Sequence, residues 1–179
     1  MADRSLRRYL PLSLTALVIV LDQITKALVV AYIPENTVFR SYFGDFLEIV
    51  HVRNTAIAFS IGTGLDIPVK LVFFVVLPII LMVQVIWCVI SRKTDGDFTV
   101  FQKWCLAAIA GGGIGNLIDR VLNGVVVDYI NVLFMNFAVF NVADICVVVG
   151  GIAAAAYYLL LADKLEHKEA PHGTADADR

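Results

Sequence analysis

Four long apolar runs, at about residues 9–31, 69–90, 101–118 and 137–162, constrain this chain more than any other feature. A helix needs roughly 20 mostly apolar residues to cross a bilayer, and each run is of that order. Lipid offers the backbone no hydrogen-bond partner, so such runs fold as helices. Composition agrees, with 59% of residues hydrophobic and 17% charged, against about 45–50% and about 25% in soluble domains. A water-soluble globule is excluded, and at a net charge of −2 so is a disordered chain. Nucleic acid is excluded as a partner, because the one basic cluster, Arg4, Arg7 and Arg8, merely flanks the first run.

The third run is the least apolar. Gln102 and Lys103 open it, and Gly111, Gly112, Gly113 and Gly115 thin its outer half. Small residues in lipid let helix backbones approach closely, so it is kept as a span. Lys and Arg stay on the cytoplasmic side. Arg4, Arg7 and Arg8 precede span one, Arg92, Lys93 and Lys103 join spans two and three, and Lys164 and Lys168 follow span four. Both termini are therefore expected inside, with loops 33–68 and 119–136 outside. The start imitates a secretory signal, but no small-residue cleavage site follows and Asp22 and Lys26 interrupt it, so it is read as a retained span.

The fold expected is an all-α integral membrane protein, a four-transmembrane-helix bundle with N-in/C-in topology. One membrane-embedded domain covers residues 1–166, and the polar residues 167–179 form a disordered cytoplasmic tail. In the first outer loop, Phe46–Arg53 is rich in β-branched and aromatic residues and Thr37–Phe43 is a second candidate, which together suggest a small extracytoplasmic β-sheet on the bilayer surface.

Cys88, Cys105 and Cys146 lie in apolar stretches without CxxC spacing and read as small buried hydrophobes. His51, His167 and His172 have no second ligand at i+3 or i+4, so neither a metal nor a cofactor is expected.

Charges inside spans are expensive, and each is a functional hypothesis by default. At 1.5 Å per residue, Asp22 in span one falls about 13 Å below its outer end, and Asp144 in span four about 10 Å below the same surface. Span three delivers Asn116, Asp119 and Arg120 to that level, and Asp128 follows in the adjoining loop. Asp22–Lys26 and Asn116–Arg120 are i,i+4 pairs, and Asn116–Asp119 and Asn141–Asp144 are i,i+3 pairs, so each pair shares a helix face. Two readings fit Asp22–Lys26: a neutralising pair that ties helices together, or part of a site. Asp119–Arg120 is either interfacial or part of that site.

Asp144 has no basic residue within a turn or two, so its partner comes from elsewhere. If that partner is Asp128, the two carboxyl groups cannot both ionise, and a shared proton makes one an acid and the other a base. Such a dyad activates water without metal. A proton-coupled carrier and a purely structural four-span protein are the alternatives. The absence of a visible repeat speaks against a carrier.

Five motifs in order, Asp22-Gln-Ile-Thr-Lys26, Asn54-Thr-Ala-Ile-Ala-Phe59, Gly112-Gly-Ile-Gly-Asn-Leu-Ile-Asp-Arg120, Gly124-Val-Val-Val-Asp-Tyr129 and Phe140-Asn-Val-Ala-Asp144, resemble those of the bacterial lipoprotein signal peptidases (signal peptidase II). These are intramembrane aspartic endopeptidases. The resemblance implies that Asp128 and Asp144 are the catalytic pair, and that Asp22, Lys26, Asn54, Asn116, Asp119, Arg120 and Asn141 form a polar shell around it. It implies diacylglyceryl-modified prolipoprotein substrates, cut just before the lipidated cysteine. It also implies globomycin-like peptide inhibitors, contact with membrane lipid, and a place in the bacterial cytoplasmic (inner) membrane with the site near the outer leaflet. The loop Thr37–Ser60 is expected to cover the site as a lid. Two departures stand out: Ala56 where the family usually has glycine, and a spacing of 16 positions between Asp128 and Asp144 that is short for the family.

Overall fold

The computed structural model describes residues 7–44, 46–55 and 66–169. The Ala56 position, the far end of the expected lid and the tail beyond Glu169 lie outside these residues. Four helices are long and apolar enough to cross a membrane: α1 (Pro11–Tyr32), α2 (Pro68–Ile90), α3 (Val100–Asn123) and α4, whose apolar span is Val142–Leu160. Three strands, β1 (Val38–Tyr42), β2 (Leu47–Asn54) and β3 (Val126–Val132), form an antiparallel sheet in that order.

Three boundaries differ from expectation. The third span is longer than 101–118. Thr99 and Gln102 open it with a reciprocal capping box, the Gln102 amide lying 3.3 Å from Thr99 Oγ1. Gly124 closes it at φ +72°, a left-handed conformation that glycine adopts without strain. Its glycines do not break it, because they are contact points. A Cβ on Gly112 would run into the Ala143 carbonyl of α4, and one on Gly115 would meet Asp22 Oδ2 of α1 at 2.5 Å. Asp119 and Arg120 therefore lie on the last helical turn and not in a loop.

The fourth span starts later than residue 137. Phe140 makes a bridge to Ile130 of β3, its carbonyl accepting from the Ile130 amide at 2.8 Å, so residues 137–141 stay outside the helix. Asp144 consequently sits in the first turn of α4, about 3 Å along the helix axis instead of 10. At the other end α4 (Val142–Glu169) runs three residues into the stretch read as a tail.

The third correction is β3. The sheet is not confined to the first outer loop, because Val126–Val132 from the connection between α3 and α4 adds to β2. Its β-branched composition suits a strand. One extra β2 residue between Ile49 and Val52 makes a bulge, and the consecutive residues Val50 and His51 are both buried there. A core of Val29, Ile33, Val127 and Tyr129, backed by Ile49, Ile130 and Val142, fastens the sheet to the ends of α1 and α4.

Of the cysteines only Cys105 is buried, while Cys88 and Cys146 are half-buried, since apolar residues on a lipid-facing surface need no protein cover. At the opposite end from the sheet, Asp95 accepts from Arg8 at 2.8 Å and Lys103 at 2.5 Å, tying the start of α1 to α3. These contacts, led by the Lys103 hydrogen bond, hold the Asp95 carboxyl below the usual range.

Candidate active site

Three helices and the sheet bring the polar residues together in two adjoining groups. The first is an ion cluster. Lys26 Nζ lies 2.8 Å from Asp22 Oδ2, 3.0 Å from Asp119 Oδ2 and 2.8 Å from Asn116 Oδ1. An ammonium has three N–H donors, and all three are used. Asp22 and Asp119 are further held by Gln23 Nε2, and Asp119 Oδ2 accepts from the Val127 amide at 3.3 Å. Asp22 is 0% exposed and Lys26 3%, and neither lines the cavity described below, so this pair ties helices together. Breaking one partner of such a buried pair leaves the other uncompensated.

The second group surrounds a cavity of about 500 Å³, lined by Asn54, Asn116, Arg120, Asp128 and Asp144 on its polar side. Phe137–Phe140 and the α4 residues Ile145, Val147, Val148 and Val149 line its apolar side. Asp128 comes from β3. Register places Val52 opposite Asp128 and Asn54 opposite Val126, so Asn54 and Asp128 are diagonal neighbours on one face of the sheet. Asn54 Nδ2 donates to Asp128 Oδ2 at 2.8 Å, and Asn141 Nδ2 donates to Asp128 Oδ1 at 2.7 Å. Burial pushes the Asp128 carboxyl up to about 6, with the nearby Asp144 charge adding to the rise and the Asn54 and Asn141 hydrogen bonds opposing it.

Asp144 is placed by the start of α4. Asn141 Oδ1 accepts from the Asp144 amide at 3.0 Å, and Asp144 Oδ2 accepts from the Asn141 amide at 3.1 Å. The pair read as two residues on one helix face is thus a capping box, with Asp standing where Glu is usual. Asn116 Nδ2 donates to the other carboxylate oxygen at 2.7 Å. The two preceding amides are also taken, Val142 by Tyr129 Oη at 3.3 Å and Ala143 by Asp22 Oδ1 at 3.2 Å. Every early N–H of the helix has a side-chain acceptor, so its first turn is pinned.

All nine residues singled out in the sequence converge here, divided between the ion cluster and the cavity. Tyr129 was not singled out. Its hydroxyl donates to Thr25 Oγ1 at 2.8 Å and links β3 to α1, a role that nothing in the local pattern signals. Among the described residues no three His, Cys, Asp or Glu side chains are grouped as metal ligands. His51 turns away from the cavity, with Nδ1 against the Ile33 carbonyl at 2.7 Å.

Fold and site together define an integral membrane protein whose buried carboxylates face a cavity that is apolar on one side and polar on the other. The chain belongs to the signal peptidase II family, whose profile, described as Signal peptidase (SPase) II, matches residues 14–160. By that membership it is a peptidase. A lipoprotein signal peptidase of Treponema pallidum (strain Nichols) is 40% identical over 153 residues, covering 81% of this chain and 80% of that protein. One of Borrelia hermsii (strain HS1 / DAH) is 42% identical over 141 residues, covering 75% and 80%. A bacterial membrane enzyme solved by the in meso method at 2.3 Å superposes with a TM-score of 0.73 at 26% identity, covering 92% of this chain and 94% of that one.

Proposed function

We propose that this protein removes signal peptides from diacylglyceryl-modified prolipoproteins, cutting just before the lipidated cysteine, and that Asp128 and Asp144 are its catalytic dyad. One observation carries the proposal. The two carboxyl groups line the same cavity and are hydrogen-bonded to one residue, Asn141, whose side-chain amide reaches Asp128 at 2.7 Å and whose backbone N–H reaches Asp144 at 3.1 Å.

A pair sharing one proton does the chemistry of hydrolysis. The ionised carboxylate takes a proton from water as the oxygen attacks the scissile carbonyl, while the protonated carboxyl gives its proton to the carbonyl oxygen. Collapse of the resulting diol breaks the C–N bond, and the proton gained from water passes to the departing cysteine amine. The value of about 6 for Asp128 suits a group that gives and takes a proton near neutrality. Asn54, Asn116 and Asn141 hold the carboxyls in register, and Arg120 is left to meet the substrate oxygens. The wall of Phe137–Phe140 and Val147–Val149 suits acyl chains, and signal helix and lipid enter sideways from the bilayer.

The site belongs near the outer leaflet of the cytoplasmic membrane, with both termini inside, as the distribution of Lys and Arg favours. Globomycin-like peptides are expected to compete for the cavity. The test is incubation of detergent-purified protein with a diacylglyceryl-modified precursor. Wild type should cleave, and Asp128→Asn and Asp144→Asn should each fold and be inactive. Cleavage surviving either change removes the dyad assignment.

A further inference from the structure

The two cations of the site are held in opposite ways. Lys26 has every donor committed, to Asp22, Asp119 and Asn116. Arg120 lines the cavity, and among the described residues no hydrogen bond or ion pair engages its guanidinium. Asp144, Asp128 and Asp119 act on it electrostatically without closing to ion-pair distance, and the ring of Phe74 faces it, with Arg120 Cζ 6.0 Å from the centroid.

Phe74 belongs to a segment with a backbone unlike the rest of its helix. Val72–Val76 in α2 is a π-helical turn, and Phe74 is the buried residue within it. Its neighbours Val72, Phe73 and Val76 are exposed on the surface that would meet lipid. A π turn accommodates one extra residue and so rotates side chains relative to the helix beyond it, and such turns cluster at functional sites. Phe74 is not among the residues lining the cavity, and the site residue it meets is Arg120.

We propose that Phe74 is a positioning residue for substrate binding, its ring face holding the Arg120 guanidinium toward the cavity so that the N–H fork stays free for carbonyl oxygens of the lipopeptide. The ring attracts the cation through its quadrupole and accepts none of its in-plane N–H bonds. A carboxylate in the same place would occupy two of the five donors. The arrangement thus gives one cation to structure and the other to substrate. This inference rests on the function proposed above.

The experiment measures binding of a diacylglyceryl-modified precursor peptide, by fluorescence anisotropy in detergent, to an Asp128→Asn parent that should bind without cleaving. Phe74→Leu should weaken binding about fivefold, or about 1 kcal/mol by the relation between affinity and free energy. Phe74→Met, a second ringless variant, should do the same, and a thermal melt reads the folding of each separately. Phe74→Trp, which keeps a ring face, should bind as the parent does. In an Arg120→Gln background Phe74→Leu should cost nothing further. A parent that does not bind the lipopeptide overturns the function and this inference with it. A parent that binds, with ringless variants equal to it or equally impaired when Arg120 is already Gln, overturns the role of Phe74 alone.

Discussion

Asn141 both caps α4 and donates to Asp128, and two substitutions separate these duties. Its Oδ1 accepts from the Asp144 amide at 3.0 Å, while its Nδ2 reaches Asp128 at 2.7 Å and Asn116 at 3.0 Å. Asn141→Ser keeps an oxygen for the cap and loses the longer amide group that reaches Asp128, whereas Asn141→Ala loses both. A hydrogen bond to a charged acceptor is worth about 1.5–3 kcal/mol, and an N-cap changed to Ala costs about 1 kcal/mol. The serine variant should therefore lose about 2 kcal/mol and the alanine variant about 3. Both lose a hydrogen bond that holds the Asp128 carboxyl down, so its value should climb above about 6. The shared proton is then kept to higher pH. Unfolding by SDS titration in mixed micelles should rank wild type above serine above alanine, and the basic limb of the cleavage profile should move to higher pH in both variants. Two variants as stable as wild type with an unmoved basic limb would refute the placing of Asp128 and Asp144 by this residue.

Two further predictions follow from burial and space. The Asp128 carboxyl stands at about 6 in the fold against 3.8 as the ordinary value, so the stability it contributes is fully present below about pH 3.8 and is lost as pH rises through about 6, a swing of about 3 kcal/mol. Unfolding measured from pH 4 to 7 should show this decline in wild type and a flatter course in Asp128→Asn, and equal slopes would contradict the raised value. Gly115→Ala would put a Cβ 2.5 Å from Asp22 Oδ2, an atom held by Lys26 at 2.8 Å, and should cost about 2 kcal/mol. Gly151→Ala, with no atom within 4 Å of the added carbon, should be neutral or slightly stabilising, so equal melting temperatures for the two variants would count against the close approach of α1 and α3.

Much of the architecture was legible in order and spacing. Four apolar runs appear as four span-length helices, and both first-loop strands form at Val38–Tyr42 and Leu47–Asn54. The misjudged boundaries share a cause. Residues 137–141 are apolar enough to continue a span, yet Phe140 pairs with Ile130 of β3, a strand whose own pairing lies outside the local pattern. Val126–Val132 carries strand-forming residues, but its pairing depends on β2, more than seventy residues earlier. Tyr129 gave no local sign of its tie to Thr25, and Phe74 none of its place under Arg120.

Hydrophobic run length and residue type are local properties, and from them follow the entry into lipid, the number of crossings and the polar groups carried into the apolar phase. How those groups divide is set by the packing of the helices and the sheet. Asp22 and Asp119 share the Lys26 ammonium behind the site, while Asp128, Asp144 and Arg120 face the cavity. Burial, donor geometry and register arise between segments far apart in the chain, and those decide which charges are cancelled and which are left for a substrate.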